Sequence, residues 1–151
     1  MGTRADFYVG RGENAEWLGS IAFDGYRIHE VKEGDGGKND DLAACVQIKL
    51  ADNEASFRAG VEKLLSLNDT ATTPAQGWPW PWETSSTTDY AYAFDGQTWV
   101  SVFGHAWFDA KLPRPENDSE QPKSAVFPDM TKRKNVTLGP RSGLIVIGGP
   151  R

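Results

Sequence analysis

His29 and His105 are the only imidazoles in the chain, so any proton transfer near neutral pH would have to use one of them. His105 follows an aromatic run, and with Asp89 or Asp109 as orienting carboxylate and Arg11 as electrophilic support it would make a small hydrolase or transferase site. Glu83, Asp89 and Asp95 offer carboxylates that could be paired for glycoside hydrolysis. Metal chemistry has less to work with. There is no His-x-x-x-His pair and no Cys-x-x-Cys, and the single cysteine, Cys45, sits in the apolar run Leu42 to Val46. No metal or other cofactor is therefore expected. Gly10-Arg-Gly-Glu-Asn-Ala15 has the spacing of a dinucleotide loop. Gly19 breaks the helix such a loop requires, and Glu13 and Glu16 would face the phosphates.

Gln76 to Phe108 is the stretch that must position these groups. Five of the six tryptophans lie in it, beginning with Gly77-Trp-Pro-Trp-Pro-Trp82. Proline fixes φ and lacks an N–H, so residues 78–82 are expected to be extended and unsuited to the interior of a sheet. Tyr90-Ala-Tyr-Ala-Phe94, Asp95-Gly96 and Gln97-Thr-Trp-Val-Ser-Val-Phe103 then read as a hairpin. A two-residue turn at Asp95-Gly96 would set Tyr92 opposite Trp99. The large rings of Tyr90, Tyr92, Phe94, Trp99 and Phe103 would gather on one face, leaving Ala91, Ala93, Val100 and Val102 on the other. Trp78, Trp80, Trp82, Tyr90 and Tyr92 are the candidate binding surface, because Trp and Tyr supply large contact area at low entropic cost. The same rings would suit stacking on a sugar, which makes a carbohydrate-binding module an alternative.

Around this stretch the chain reads as one α+β domain spanning 1–151, with a mainly antiparallel sheet of hairpins and one principal amphipathic helix at about 53–67. Asp6–Val9 and Trp17–Phe23 are expected strands. Residues 24–41 are expected to form a charged loop, and 42–50 satisfy both helix and strand patterns. Phe57, Val61, Leu64 and Leu65 mark one face of the helix. Gly60 interrupts it where close packing against the small face of the hairpin is expected. Residues 111–123, rich in proline and acid, read as an exposed loop, and Val136–Leu138 and Leu144–Ile147 as late strands.

A formal net charge of −5 argues against direct nucleic-acid binding, which normally needs a basic face. No stretch approaches the length of a membrane span, and with one cysteine and no signal-peptide anatomy a cytoplasmic, reducing location is expected.

Met1-Gly-Thr-Arg-Ala-Asp-Phe-Tyr-Val-Gly-Arg-Gly12 with Glu16–Ser20, and Gly77-Trp-Pro-Trp-Pro-Trp-Glu83 with Thr88–Gly96, resemble small uncharacterised proteins encoded in bacterial and prophage genomes. That resemblance carries no activity with it. It implies a mobile-element accessory protein, and with the acidic charge it points to non-enzymatic binding of a protein partner. One concrete form is an inhibitor of a host defence or nucleic-acid-handling protein, since an acidic surface can fill a basic groove.

Overall fold

A computed structural model describes residues 2–116 and 124–132. The class is α+β. Five strands form one sheet in the order β2-β1-β3-β4-β5, with β1 at Ala5–Val9, β2 at Glu16–Ile21, β3 at Tyr90–Phe94, β4 at Thr98–Val102 and β5 at Phe108–Asp109. The sheet is mixed rather than purely antiparallel: β1 runs parallel to β3, and the other pairings are antiparallel. A parallel pair needs a long crossover. Residues 22–89, which carry the helices, supply it.

Among the described residues the helices are α1 (Arg27–Glu30), α2 (Asp40–Lys49) and α3 (Glu54–Leu67). The expected helix at 53–67 is α3, capped by the Asn53 side chain, which accepts from Ser56 N. The ambiguous stretch 42–50 belongs to α2. Asn39 settles it, accepting from Leu42 N at 2.8 Å, while Asp40 and Asp41 at the start and Lys49 at the end complement the helix dipole. These end signals outweigh the strand-like alternation of Val46-Gln-Ile48. The expected loop at 24–41 also contains α1 and a 3-10 turn at Glu33–Gly37.

Directly opposed residues fix which side chains share a face. Ala5, Phe7 and Val9 of β1 lie beside Tyr90, Tyr92 and Phe94 of β3, and these pair onward with Val102, Val100 and Thr98. This large-residue face packs against the helices, where Phe7 stacks on Tyr92 and Phe57 of α3 meets Phe94. The opposite face carries Asp6, Tyr8, Ala91, Ala93, Trp99 and Ser101. It is covered by the Trp-Pro segment and by residues 125–130, with Trp17, Trp78, Trp80, Phe127 and Met130 in its core.

Two expectations are corrected by this arrangement. The register across β3 and β4 is one residue from that of a two-residue turn: Tyr92 faces Val100 and Trp99 faces Ala93, so Tyr92 and Trp99 lie on opposite faces. Three residues, 95–97, fall between the strands, with Gly96 at φ +78°. Arg11 holds this loop, bonding the Asp95 carboxylate at 2.9 Å and lying 4.1 Å from the centre of the Trp99 ring, while Trp99 Nε1 donates to Asp95 O. Gly60, secondly, packs on α2 and not on the small face of the sheet. A Cβ there would lie 2.9 Å from Ile48 Cγ1.

Cys45 is buried between the sheet and the helices, and burial pushes its thiol up to about 12. The native protein should therefore resist iodoacetamide at pH 8, alkylation following global unfolding. Mass spectrometry after a timed pulse checks this, and stoichiometric labelling without denaturant would contradict it.

Val136–Leu138, Leu144–Ile147 and the later part of the 111–123 loop lie outside the described residues. Residues 111–114 and 116 are exposed.

Candidate functional site

The densest polar constellation surrounds Asp6, a carboxylate sequence reasoning passed over. Asp6 occupies the middle of the small face and is fully buried. Its Oδ1 accepts from Ser20 Oγ at 2.5 Å and from Trp80 Nε1 at 2.6 Å, and its Oδ2 accepts from Ser85 Oγ at 2.5 Å. Thr88 also bonds to it. A further shell holds these donors: Trp17 Nε1 donates to Ser20 Oγ, Tyr8 shares a hydrogen bond with Ser85, and Trp82 Nε1 donates to Thr88 Oγ1. Trp78 Nε1 closes the segment on itself by donating to Trp82 O at 2.6 Å. Every donor to the carboxylate is neutral. Burial raises the Asp6 pKa, and the bonds from Ser20, Ser85, Trp80 and Thr88 oppose that by favouring the charged form.

This network explains the small face. Ala91 and Ala93 leave room for indole rings to lie against the backbone, and Asp6 gives the Trp80 N–H a partner that no apolar surface could provide, while Ser20 and Thr88, themselves bonded to Asp6, accept from Trp17 and Trp82. Trp17 meets Trp78 edge-on at 5.3 Å and Trp80 stacks on Trp82 at 5.5 Å. The Trp-Pro segment is thus a lid on the second core. Of the expected binding surface, Trp78 and Tyr92 are wholly buried and Trp80 is 8% exposed, so these three rings serve packing. Trp82 and Tyr90 retain partial exposure.

Those two rings flank the end of the sheet where β1 and β3 begin. There Arg4 donates to the Asp89 carboxylate from its backbone N at 2.9 Å and from Nε at 3.1 Å, and its guanidinium lies 5.2 Å from the centre of the Trp82 ring. Phe103 N donates to Asp89 O. Phe103 and Gly104, at φ +52° and +78°, are the central residues of a tight turn closed by His105 N on Val102 O. Gly104 is required because a Cβ would run into the Ser86 carbonyl. Phe103 has no such excuse. It is 54% exposed, in a conformation that costs a bulky residue about 1–2 kcal/mol. Phe23, 49% exposed, follows β2 at this same end.

The catalytic candidates His105, Asp89 and Arg11 do not all share one end of the sheet. His105 follows the turn at the Asp89 end, and Arg11 sits at the other end of β3 with Asp95. Six residue steps along β3 separate Asp89 from Asp95, or roughly 20 Å. That distance divides Arg11 from Asp89, and it exceeds the separation of about 5–9.5 Å needed by paired glycosidase carboxylates. Asp89 is engaged by Arg4, and Asp109 by Lys111. The Gly10 to Ala15 loop joins β1 to antiparallel β2, with Gly10 N bonded to Phe94 O, and it opens no helix for a phosphate. Among the described residues no group of three or more His, Cys, Asp or Glu side chains could hold a metal ion. No helix there is long and apolar enough to cross a membrane.

The chain matches no family model, no curated protein and no solved structure.

Proposed function

We propose that this chain is a non-enzymatic protein-binding accessory protein of a bacterial or prophage genome, an inhibitor of a host defence or nucleic-acid-handling protein, and that it docks through the aromatic end of its sheet. Phe103 is the observation that carries the reading. A large apolar ring held half exposed at positive φ lowers stability, and such strain collects where a surface serves binding. Trp82, Tyr90 and Arg4 lie at the same end of the sheet, Trp82 and Tyr90 on its opposite faces, and they are residue types that dominate interface energetics. The net charge of −5 favours a basic partner, such as a surface that otherwise receives nucleic acid.

Phe103→Asn separates the two roles. Asparagine tolerates positive φ, so stability should rise by about 1 kcal/mol, which for a domain this size moves Tm by roughly 2–4 °C. Partner capture from bacterial lysate, read by mass spectrometry at low and high salt, should be lost in the variant. Equal capture by variant and wild type would remove the docking assignment. A wild-type chain that enriches nothing over a bare matrix at either salt would overturn the protein-binding reading.

A further inference from the structure

Away from the aromatic end, the last turns of α2 and the segment after α1 enclose a concavity of about 220 Å³. Val31, Val46 and Leu50 give it an apolar lining, which Lys32, Glu33, Lys49 and Lys111 complete, Lys111 in an ion pair with Asp109.

We propose that this concavity binds a small amphipathic monoanion, an aromatic or short-chain carboxylate, with its apolar part on Val31, Val46 and Leu50 and its carboxylate on Lys49. Lys49 Nζ donates to His29 O at 2.8 Å and to Val31 O at 2.7 Å, which fixes the ammonium at the end of α1. An ammonium has three N–H groups, so one remains for a ligand. Among the described residues no carboxylate lies within ion-pair distance of Lys49; nearby Asp35 is engaged by Lys38, and Asp109 by Lys111. A partly buried cation lacking an anion gains a charge-assisted hydrogen bond when one arrives. Size narrows the class. The volume lies between a cavity of about 150 Å³ that takes benzene and the lower limit of about 300 Å³ for drug-sized ligands. Glu33 at the rim disfavours a dianion.

The test titrates the full chain with benzoate, benzyl alcohol and benzylammonium while following methyl resonances by NMR. Benzoate should give saturable shifts at Val31, Val46 and Leu50 with Kd about millimolar. Benzyl alcohol should bind about tenfold more weakly, and benzylammonium should not saturate. Lys49→Met should weaken benzoate by about tenfold or more. Because Lys49 also holds the end of α1, exposed Lys111→Glu provides an arm independent of folding, with an expected loss of about threefold. Absence of saturable benzoate shifts, shifts confined to other methyls, or equal affinity for benzyl alcohol would each overturn the proposal. Undiminished benzoate affinity in Lys111→Glu together with Lys49→Met, or in Lys111→Glu alone if the other variant does not fold, would do the same.

Discussion

Asp6→Ala is expected to destabilise the protein by about 4 kcal/mol, a large share of the roughly 5–15 kcal/mol typical of a domain. The removed carboxylate leaves Trp80 Nε1, a group that can only donate, buried without a partner, and it strips Ser20 and Ser85 of their acceptor. Each orphaned donor costs about 1–3 kcal/mol. Asp6→Asn should cost less, because its amide oxygen can keep the Trp80 and Ser20 bonds while the Ser85 hydroxyl turns to accept from the new NH₂. Denaturant titrations should therefore rank wild type above Asn and Asn above Ala. An Ala variant within about 1 kcal/mol of wild type would mean the network contributes nothing net.

The two Asp6 variants also differ from wild type in pH response. The folded-state pKa of Asp6 lies above its ordinary value of 3.8, so the fold favours the protonated acid. Its contribution is fully present below 3.8 and is lost as pH rises through the raised folded value. Asn does not ionise. The stability gap between wild type and Asp6→Asn should narrow with rising pH across that window.

Trp78→Ala carries the other large effect, about 3–5 kcal/mol. The ring is wholly buried against Trp17, and its N–H bond to Trp82 O closes the Trp-Pro turn, so truncation opens a cavity and frees the segment together. Trp82→Ala provides the contrast. Trp82 is partly exposed and holds Thr88 by a single hydrogen bond, so its loss should cost clearly less stability. Equal costs in chemical denaturation would contradict the division of these tryptophans into core and surface.

How much of this was legible depended on the range of the interactions. Local signals worked. Asn53 and the Phe57, Val61, Leu64 stripe define α3 without help from the rest of the chain, and the prolines at 79 and 81 keep their segment out of the sheet. The alternation of Tyr90 to Phe94 separates large from small residues across the sheet faces, as the pairing shows. What covers each face was not legible. The small face was expected to receive a helix and instead receives indoles, and the acceptor for the Trp80 N–H, Asp6, lies 74 residues from it in sequence. The register slip at 95–97 has the same origin. Asp95-Gly96 is sufficient for a two-residue turn, but Arg11, 84 residues away, bonds the Asp95 carboxylate and stacks on Trp99 to hold a longer one. The parallel β1–β3 pairing is likewise invisible to periodicity, which is identical for strands of either direction. For the candidate site, Trp82 and Tyr90 were named from their residue types and strand pattern, whereas Phe103 became a candidate through its exposure and backbone angle.

Hydrogen exchange at the Trp80 indole N–H asks most directly whether the Trp-Pro segment is sealed to the sheet by a buried carboxylate. The bond from Trp80 Nε1 to Asp6 Oδ1 predicts exchange only through global unfolding, with the rate and denaturant dependence of the slowest backbone amides. Exchange within minutes in native buffer, insensitive to denaturant, would show that the segment lifts freely from the small face.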